Sequence, residues 1–111
     1  MLKIETQMGK IYYTEEFIKN MVALSALECD GVVSVASKSS KDNKPNINSG
    51  VKVSIENSKL NVEVFIVIQY GIKVSVIAND VIQKIKYDIE NNVGIFVNSI
   101  TVNINGIEID R

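Results

Sequence analysis

The side chains able to do chemistry in this sequence are few, and the clearest fact about them is a gap: the 111 residues include no histidine. That removes the commonest general base, the usual activator of a nucleophilic Cys or Ser, and the commonest metal ligand. The one cysteine, Cys29, stands between Glu28 and Asp30, whose negative charges favour the neutral thiol over a reactive thiolate. It reads as a small structural hydrophobe. Glu28 and Asp30 are the only acidic pair of catalytic flavour, and an i, i+2 pair at a helix end is more commonly solvated or backbone-bonded than a two-carboxylate site. Adding Asp42 gives no compact set of oxygens, and there is no D-x-D-x-D-G loop for calcium. The six glycines are scattered singly, with neither G-x-x-x-x-G-K nor G-x-G-x-x-G to cradle a phosphate and no GXXG to clamp RNA. Tyr12, Tyr13 and Tyr70 could stack bases, but near strand ends they read as seals on a core edge. These residues assign no catalytic, cofactor-binding or metal-ligating role.

Composition narrows the partners. Twelve Lys plus Arg against thirteen Asp plus Glu leave a net charge of −1, which offers no general field to nucleic acid or to an anionic membrane. The single arginine is Arg111, so one copy cannot assemble the several guanidinium forks of a phosphate-binding surface. A lone cysteine excludes an internal disulfide and points to a reducing compartment, with the cytoplasm as default. The start, M-L-K-I-E-T-Q-M-G-K, lacks the apolar run of a signal peptide, and no stretch approaches the roughly 20 apolar residues of a membrane span. Membrane contact is therefore expected only through a partner. A chain of 111 residues is expected to form one domain over 1–111 that buries roughly two-thirds of its unfolded surface without disulfide or metal.

The elements follow from periodicity. Leu60, Val62, Val64, Ile66 and Ile68 fall two apart within Lys59 to Gly71 and share one face of an extended chain, which predicts a central strand with one dry side. Gly50 opens a second alternating run, with Val51, Val53 and Ile55 on one face, and Asn57-Ser58 turns it into the central strand as a hairpin. Gly9 to Tyr13 reads as a short strand. Thr14 then supplies an N-cap with Glu15 and Glu16 in the first turn, opening a helix through Phe17, Ile18, Met21, Val22, Leu24 and Ser25 that ends near Gly31. Val32 to Ala36 is a short return to the sheet. A second helix carries Val74, Ile77, Ala78, Val81, Ile82, Ile85 and Ile89 as one stripe, stopped by Asn91, Asn92 and Gly94. A last strand places Phe96, Ile100, Val102 and Ile104 inward and ends near Gly106. Residues 1–8 read either as a fraying edge strand or as a disordered lead-in. The segment Ser37 to Ser49, with the only proline, reads as a mobile loop.

The predicted architecture is α+β: a two-layer sandwich with two helices on one face of a mixed, mainly antiparallel sheet of four to five strands. Its other face would carry Lys52, Ser54, Glu56, Asn61, Glu63, Gln69, Thr101 and Asn103, with Phe65, Val67 and Val97 as apolar islands. Such a face is either solvated or an interface. Phe65, Val67, Glu63 and Val97 are the candidate contact residues. The alternative is that the Ser37 to Ser49 loop covers Phe65 and Val67.

An ordered set of short motifs runs along the chain: G-K-I at Gly9, A-L-E-C-D-G-V from Ala26 to Val32, G-V-K-V at Gly50, V-I-Q-Y-G at Val67 and V-N-I-N-G at Val102. In these, in their order and in their spacing, the chain resembles the alkaline shock protein family, also called the envelope stress response family, of Gram-positive bacteria. The resemblance implies a non-enzymatic cytoplasmic protein that associates with itself and binds a membrane-embedded partner. Members linked to lipid synthesis imply a second possibility, a regulator of a soluble enzyme of fatty-acid or lipid synthesis. It also implies fold roles for Gly31 and Gly71 as turn positions and for Glu28 as a helix-end polar anchor, and it supplies no cofactor and no catalytic residue. The chain stops soon after Gly106, so partner binding through a C-terminal extension is not expected.

Overall fold

The elements run β1 (Leu2–Thr6), β2 (Gly9–Tyr13), α1 (Glu15–Leu27), β3 (Val32–Val35), β4 (Val51–Glu56), β5 (Lys59–Gln69), α2 (Val74–Asp88), a π-helical turn (Ile89–Val93) and β6 (Val97–Glu108). The computed structural model describes residues 2–35 and 50–109. The stretch Ser37 to Ser49, read above as a loop, lies outside the described residues.

The alternation in β5 decides the architecture. Leu60, Val62, Val64, Ile66 and Ile68 are each no more than 2% exposed, and burying such a side chain is worth about 1.5–3 kcal/mol. The strand β4 returns antiparallel to it from Val51↔Val64 to Glu56↔Lys59. The hairpin turn between them holds Asn57 at φ 53° and Ser58 at φ 64°, the left-handed pair that a two-residue connection between twisted strands favours. The strand β3 is also antiparallel to β5, but farther along, from Val32↔Ile68 to Val35↔Ile66. So β3 and β4 lie end to end on one edge of β5. Its other edge is taken along its whole length by β6, which runs parallel and is reached through α2, as a parallel neighbour requires. The sheet is mixed and four-stranded.

Both helices cover one face of it. The α1 N-terminus is capped as expected, Thr14 Oγ1 accepting from the Phe17 N–H at 3.1 Å. Its buried side is Ile18, Val22, Ala23, Ser25 and Ala26, whereas Phe17 and Leu24, expected on the apolar stripe, are 44% and 56% exposed. Small residues on the buried side let the helix backbone approach its neighbours closely. The α2 helix buries Ile77, Val81 and Ile85, and Ile89 continues the stripe into the π turn. Gly31 sits at φ +92° where an added Cβ would stand 2.8 Å from Ile77 Cδ1, so the turn after α1 fits against α2 only without a side chain. Gly94, at φ 88°, closes the π turn.

Three expectations at strand ends are corrected. First, β2 does not join the main sheet: it pairs with β1, from Leu2↔Tyr13 to Thr6↔Gly9, in a separate two-stranded sheet. Second, of the three tyrosines read as core seals only Tyr13 is one. Its hydroxyl donates to the Val93 carbonyl at 3.0 Å, and its ring stacks on Phe17 with centroids 5.7 Å apart. Tyr12 points the other way by strand alternation, and Tyr70 lies one residue past the end of β5; both are exposed. Third, Phe96 precedes β6 and is exposed rather than inward.

Candidate interaction surface

The side chains of β5 that point away from the helices are Asn61, Glu63, Phe65 and Val67, all partly buried, and Gln69, which is exposed. Register sets their neighbours. Lys52 and Ser54 of β4 stand opposite Glu63 and Asn61, and Ser99, Thr101 and Asn103 of β6 stand beside Asn61, Glu63 and Phe65. Ser34 of β3 and Gly106 of β6 flank Val67.

Polar side chains on this face bond one another. The Asn61 carbonyl oxygen Oδ1 accepts from Asn98 Nδ2 and from Ser99 Oγ, each at 2.9 Å. Asn103 Nδ2 donates to Glu63 Oε2 at 3.1 Å. Between the outer strands, Lys52, Ser54, Asn61, Glu63, Ser99 and Thr101 line a shallow depression of about 310 Å³. Next to it the Lys52 ammonium lies 5.5 Å from the centre of the Phe65 ring, within range of cation–π attraction. Asn61, Asn98 and Ser99 thus bond one another, as do Glu63 and Asn103, and this polar run gives way to an apolar pair, Phe65 and Val67, toward the β3 end. The groups of this face can hydrogen-bond and pack.

Of the four candidate contact residues, Glu63, Phe65 and Val67 share this face. Val97 does not. The β6 register runs Leu60↔Val97 and then Asn61↔Ser99, so Asn98 is an extra residue, and this bulge turns Val97 to the helix side, where it packs against the core. A second extra residue, Asn105, between Ile66↔Ile104 and Val67↔Gly106, carries Ile107 to that side as well. Simple alternation cannot register a bulge, which is why Val97 was misplaced.

A second polar group, between the helices, was not anticipated from sequence. Ser25, 3% exposed, donates its hydroxyl to Asp88 Oδ2 at 2.7 Å. Lys84 Nζ lies 3.0 Å from Asp88 Oδ2 and 3.0 Å from Glu28 Oε2. Hydrogen bonds to Glu28 and then Asp88 hold the Lys84 ammonium pKa above its usual value. The chain Ser25–Asp88–Lys84–Glu28 ties the end of α1 to the last turns of α2, and Glu28 is indeed a polar anchor there. Its signal in the sequence was a polar residue on each apolar stripe, Ser25 after Val22 and Asp88 after Ile85. With Ser25 and Asp88 closed off, the group acts as a clamp. Cys29 lies beside it with Sγ 3.6 Å from the Ser25 carbonyl. Burial raises its thiol pKa first, then the charge of Asp80, with Glu28 and Asp30 adding less. That is the direction expected, with α2 supplying the larger charge effect.

Among the described residues no helix is long and apolar enough to cross a membrane. Comparison with known proteins places this geometry in context. Residues 3–109 match the model of the alkaline shock protein 23 family, described as having cell envelope-related function. The uncharacterized protein YloU of Bacillus subtilis is 30% identical over 97% of this chain and 96% of its own length. The uncharacterized protein Spy1614 of Streptococcus pyogenes serotype M6 is 32% identical over 97% of this chain and 95% of its own. Among solved structures, the MamM CTD superposes with a TM-score of 0.55 at 12% identity, covering 84% of this chain and 99% of that one. That likeness is one of fold.

Proposed function

Because this chain belongs to the alkaline shock protein 23 family, of cell envelope-related function, we propose that it is a non-enzymatic cytoplasmic protein of envelope homeostasis. It acts by associating with itself and by holding a membrane-embedded partner. The observation that carries this reading is the open face of the sheet, where the apolar pair Phe65 and Val67 interrupts an otherwise polar ladder. A half-buried aromatic with a valine beside it, next to a run of polar side chains that includes the bonded pair Asn103 and Glu63, has the anatomy of a small contact core with a polar rim. The absence of histidine supports binding over catalysis.

The test compares the parent with the double variant Phe65→Asp/Val67→Asp. Light scattering over a concentration series reads self-association, and affinity capture from detergent-solubilised membranes reads the partner. The variant is expected to keep the parent's circular dichroism, to show less growth of scattering mass with concentration than the parent and to release the membrane protein. A variant that assembles and captures as the parent does would overturn the reading. Capture of a soluble enzyme of lipid synthesis, with no membrane protein, would replace it with a regulator of that enzyme.

A further inference from the structure

The outer edge of β6 is the longest unpaired strand edge in the described part of the molecule, and its sequence is self-complementary. Twelve residues, Val97–Glu108, form the strand, and among the described residues it pairs only with β5. Exposed edges ordinarily carry lysine, proline or an interruption that discourages pairing with another chain. The opposite edge of the sheet is split between β3 and β4 and carries Lys52 and Glu56, and the β1–β2 hairpin carries Lys3, Glu5 and Lys10. From Val97 to Ile107, β6 has no charged residue and no proline.

The hydrogen bonds at the two ends of the β5–β6 ladder fix which backbone groups are spent. Leu60 donates its N–H to the Phe96 carbonyl and Tyr70 donates to the Glu108 carbonyl, each at 2.9 Å. Even-numbered residues of β5 thus turn their backbone groups to β6. In a parallel ladder the β6 residues registered with odd-numbered ones, Ser99, Thr101 and Asn103, answer them. The residues between, Ile100, Val102 and Ile104, turn their N–H and C=O outward. Those three place isoleucines symmetrically about Val102, and Thr101 and Asn103 are likewise symmetric about it. Ile104 is 36% exposed and Ile107 54% exposed on the helix side, so apolar surface lies along the same edge.

We infer that β6 pairs antiparallel with β6 of a second copy of this chain about a two-fold axis at Val102. This deepens the self-association proposed above and rests on that reading. In this register Val102 meets Val102 of the second copy, Ile100 meets Ile104, and Thr101 meets Asn103. Apolar side chains face apolar ones on the helix side and polar face polar on the open side. Each pair of outward residues exchanges two backbone hydrogen bonds. A net charge of −1 per copy sets little repulsion against it. The axis stands across the sheet, so both helix layers lie on one side and the two open faces join into a single surface that carries both Phe65–Val67 pairs.

The test exploits the direction of the Val102 N–H. Val102→Pro deletes a donor that β5 does not use, so the fold is retained while edge pairing is blocked. In the Phe65→Asp/Val67→Asp background, where the open face no longer associates, sedimentation velocity is expected to show the dimer, and adding Val102→Pro to give the monomer with unchanged far-ultraviolet circular dichroism. In a Cys29→Ser background, Val102→Cys is expected to cross-link on oxidation, since facing residues of such a pair lie about 5.5 Å apart. Ile100→Cys, offset from its own copy, is expected not to. A dimer that persists when Val102→Pro is added to Phe65→Asp/Val67→Asp, or Ile100→Cys linking as readily as Val102→Cys, would overturn the inference. Should the proline variant unfold, the cysteine pair decides alone. Phe65→Asp/Val67→Asp is expected to stop at the dimer. If that variant is the monomer and Val102→Pro the dimer, the edge fails and the open-face reading stands. If Val102→Pro is monomeric while the double variant assembles and captures like the parent, the open-face reading fails and the edge stands.

Discussion

The two faces of β5 are made by the same eleven residues and are finished in different ways. Toward the helices, Leu60, Val62, Val64, Ile66 and Ile68 are packed dry, and the polar groups admitted nearby, Ser25 and Asp88, are tied to each other and to Lys84. Toward the other side, Asn61, Glu63 and Asn103 bond laterally in the plane of the face, leaving Phe65 and Val67 partly covered. The first face draws its stability from burial and closes itself. The second pairs several of its polar groups with one another at the surface. A buried polar clamp and an open polar ladder differ in what their loss costs, since only the first leaves a group unpaired in a dry setting.

The comparison breaks most visibly at the adjacent residues Ile66 and Val67. Truncating Ile66 to Ala leaves a cavity under two helices and is expected to cost about 2–5 kcal/mol. Val67→Ala, on the half-buried face, is expected to cost under about 1.5 kcal/mol. Chemical denaturation of both variants checks this, and equal losses would mean that the open face is as much a core as the other. A smaller contrast sets the two polar groups against each other. Asp88→Ala strands the buried Ser25 hydroxyl and is expected to cost about 1–3 kcal/mol, whereas Asn103→Ala removes a bond that water can replace and is expected to cost about 0.5 kcal/mol or less. The smallest effect is in alkali. The folded-state pKa of Lys84 is raised, so its contribution is fully present below the ordinary lysine value and is lost as pH climbs through the folded one. Lys84→Met is expected to flatten the loss of melting temperature above about pH 10.4; an unchanged alkaline slope would assign that loss to other groups.

Legibility followed distance along the chain. The dry face of β5, the Asn57-Ser58 turn, the Thr14 cap and the Gly94 stop were all readable, because each depends on residues within a turn or a strand of one another. The placement of Glu63, Phe65 and Val67 on a common face followed from the same two-residue period. Val97 did not follow, because the extra residue Asn98 reverses the alternation only once β6 is laid beside β5. Asp88 was missed for a related reason: an acid on an apolar stripe looks like a break in the pattern until Ser25 and Lys84 are brought to it from 63 and four residues away.

What the residue order determined alone is the set of local periods, and with them an α+β layering, one greasy and one hydrophilic side to the sheet, and a chemistry with no histidine to drive it. Tertiary structure decided which edges were taken. Only the folding of β6 against β5 selects which of its backbone groups are consumed and which are left facing outward, because hydrogen-bond direction is set by register between strands and has no trace in the sequence of either one.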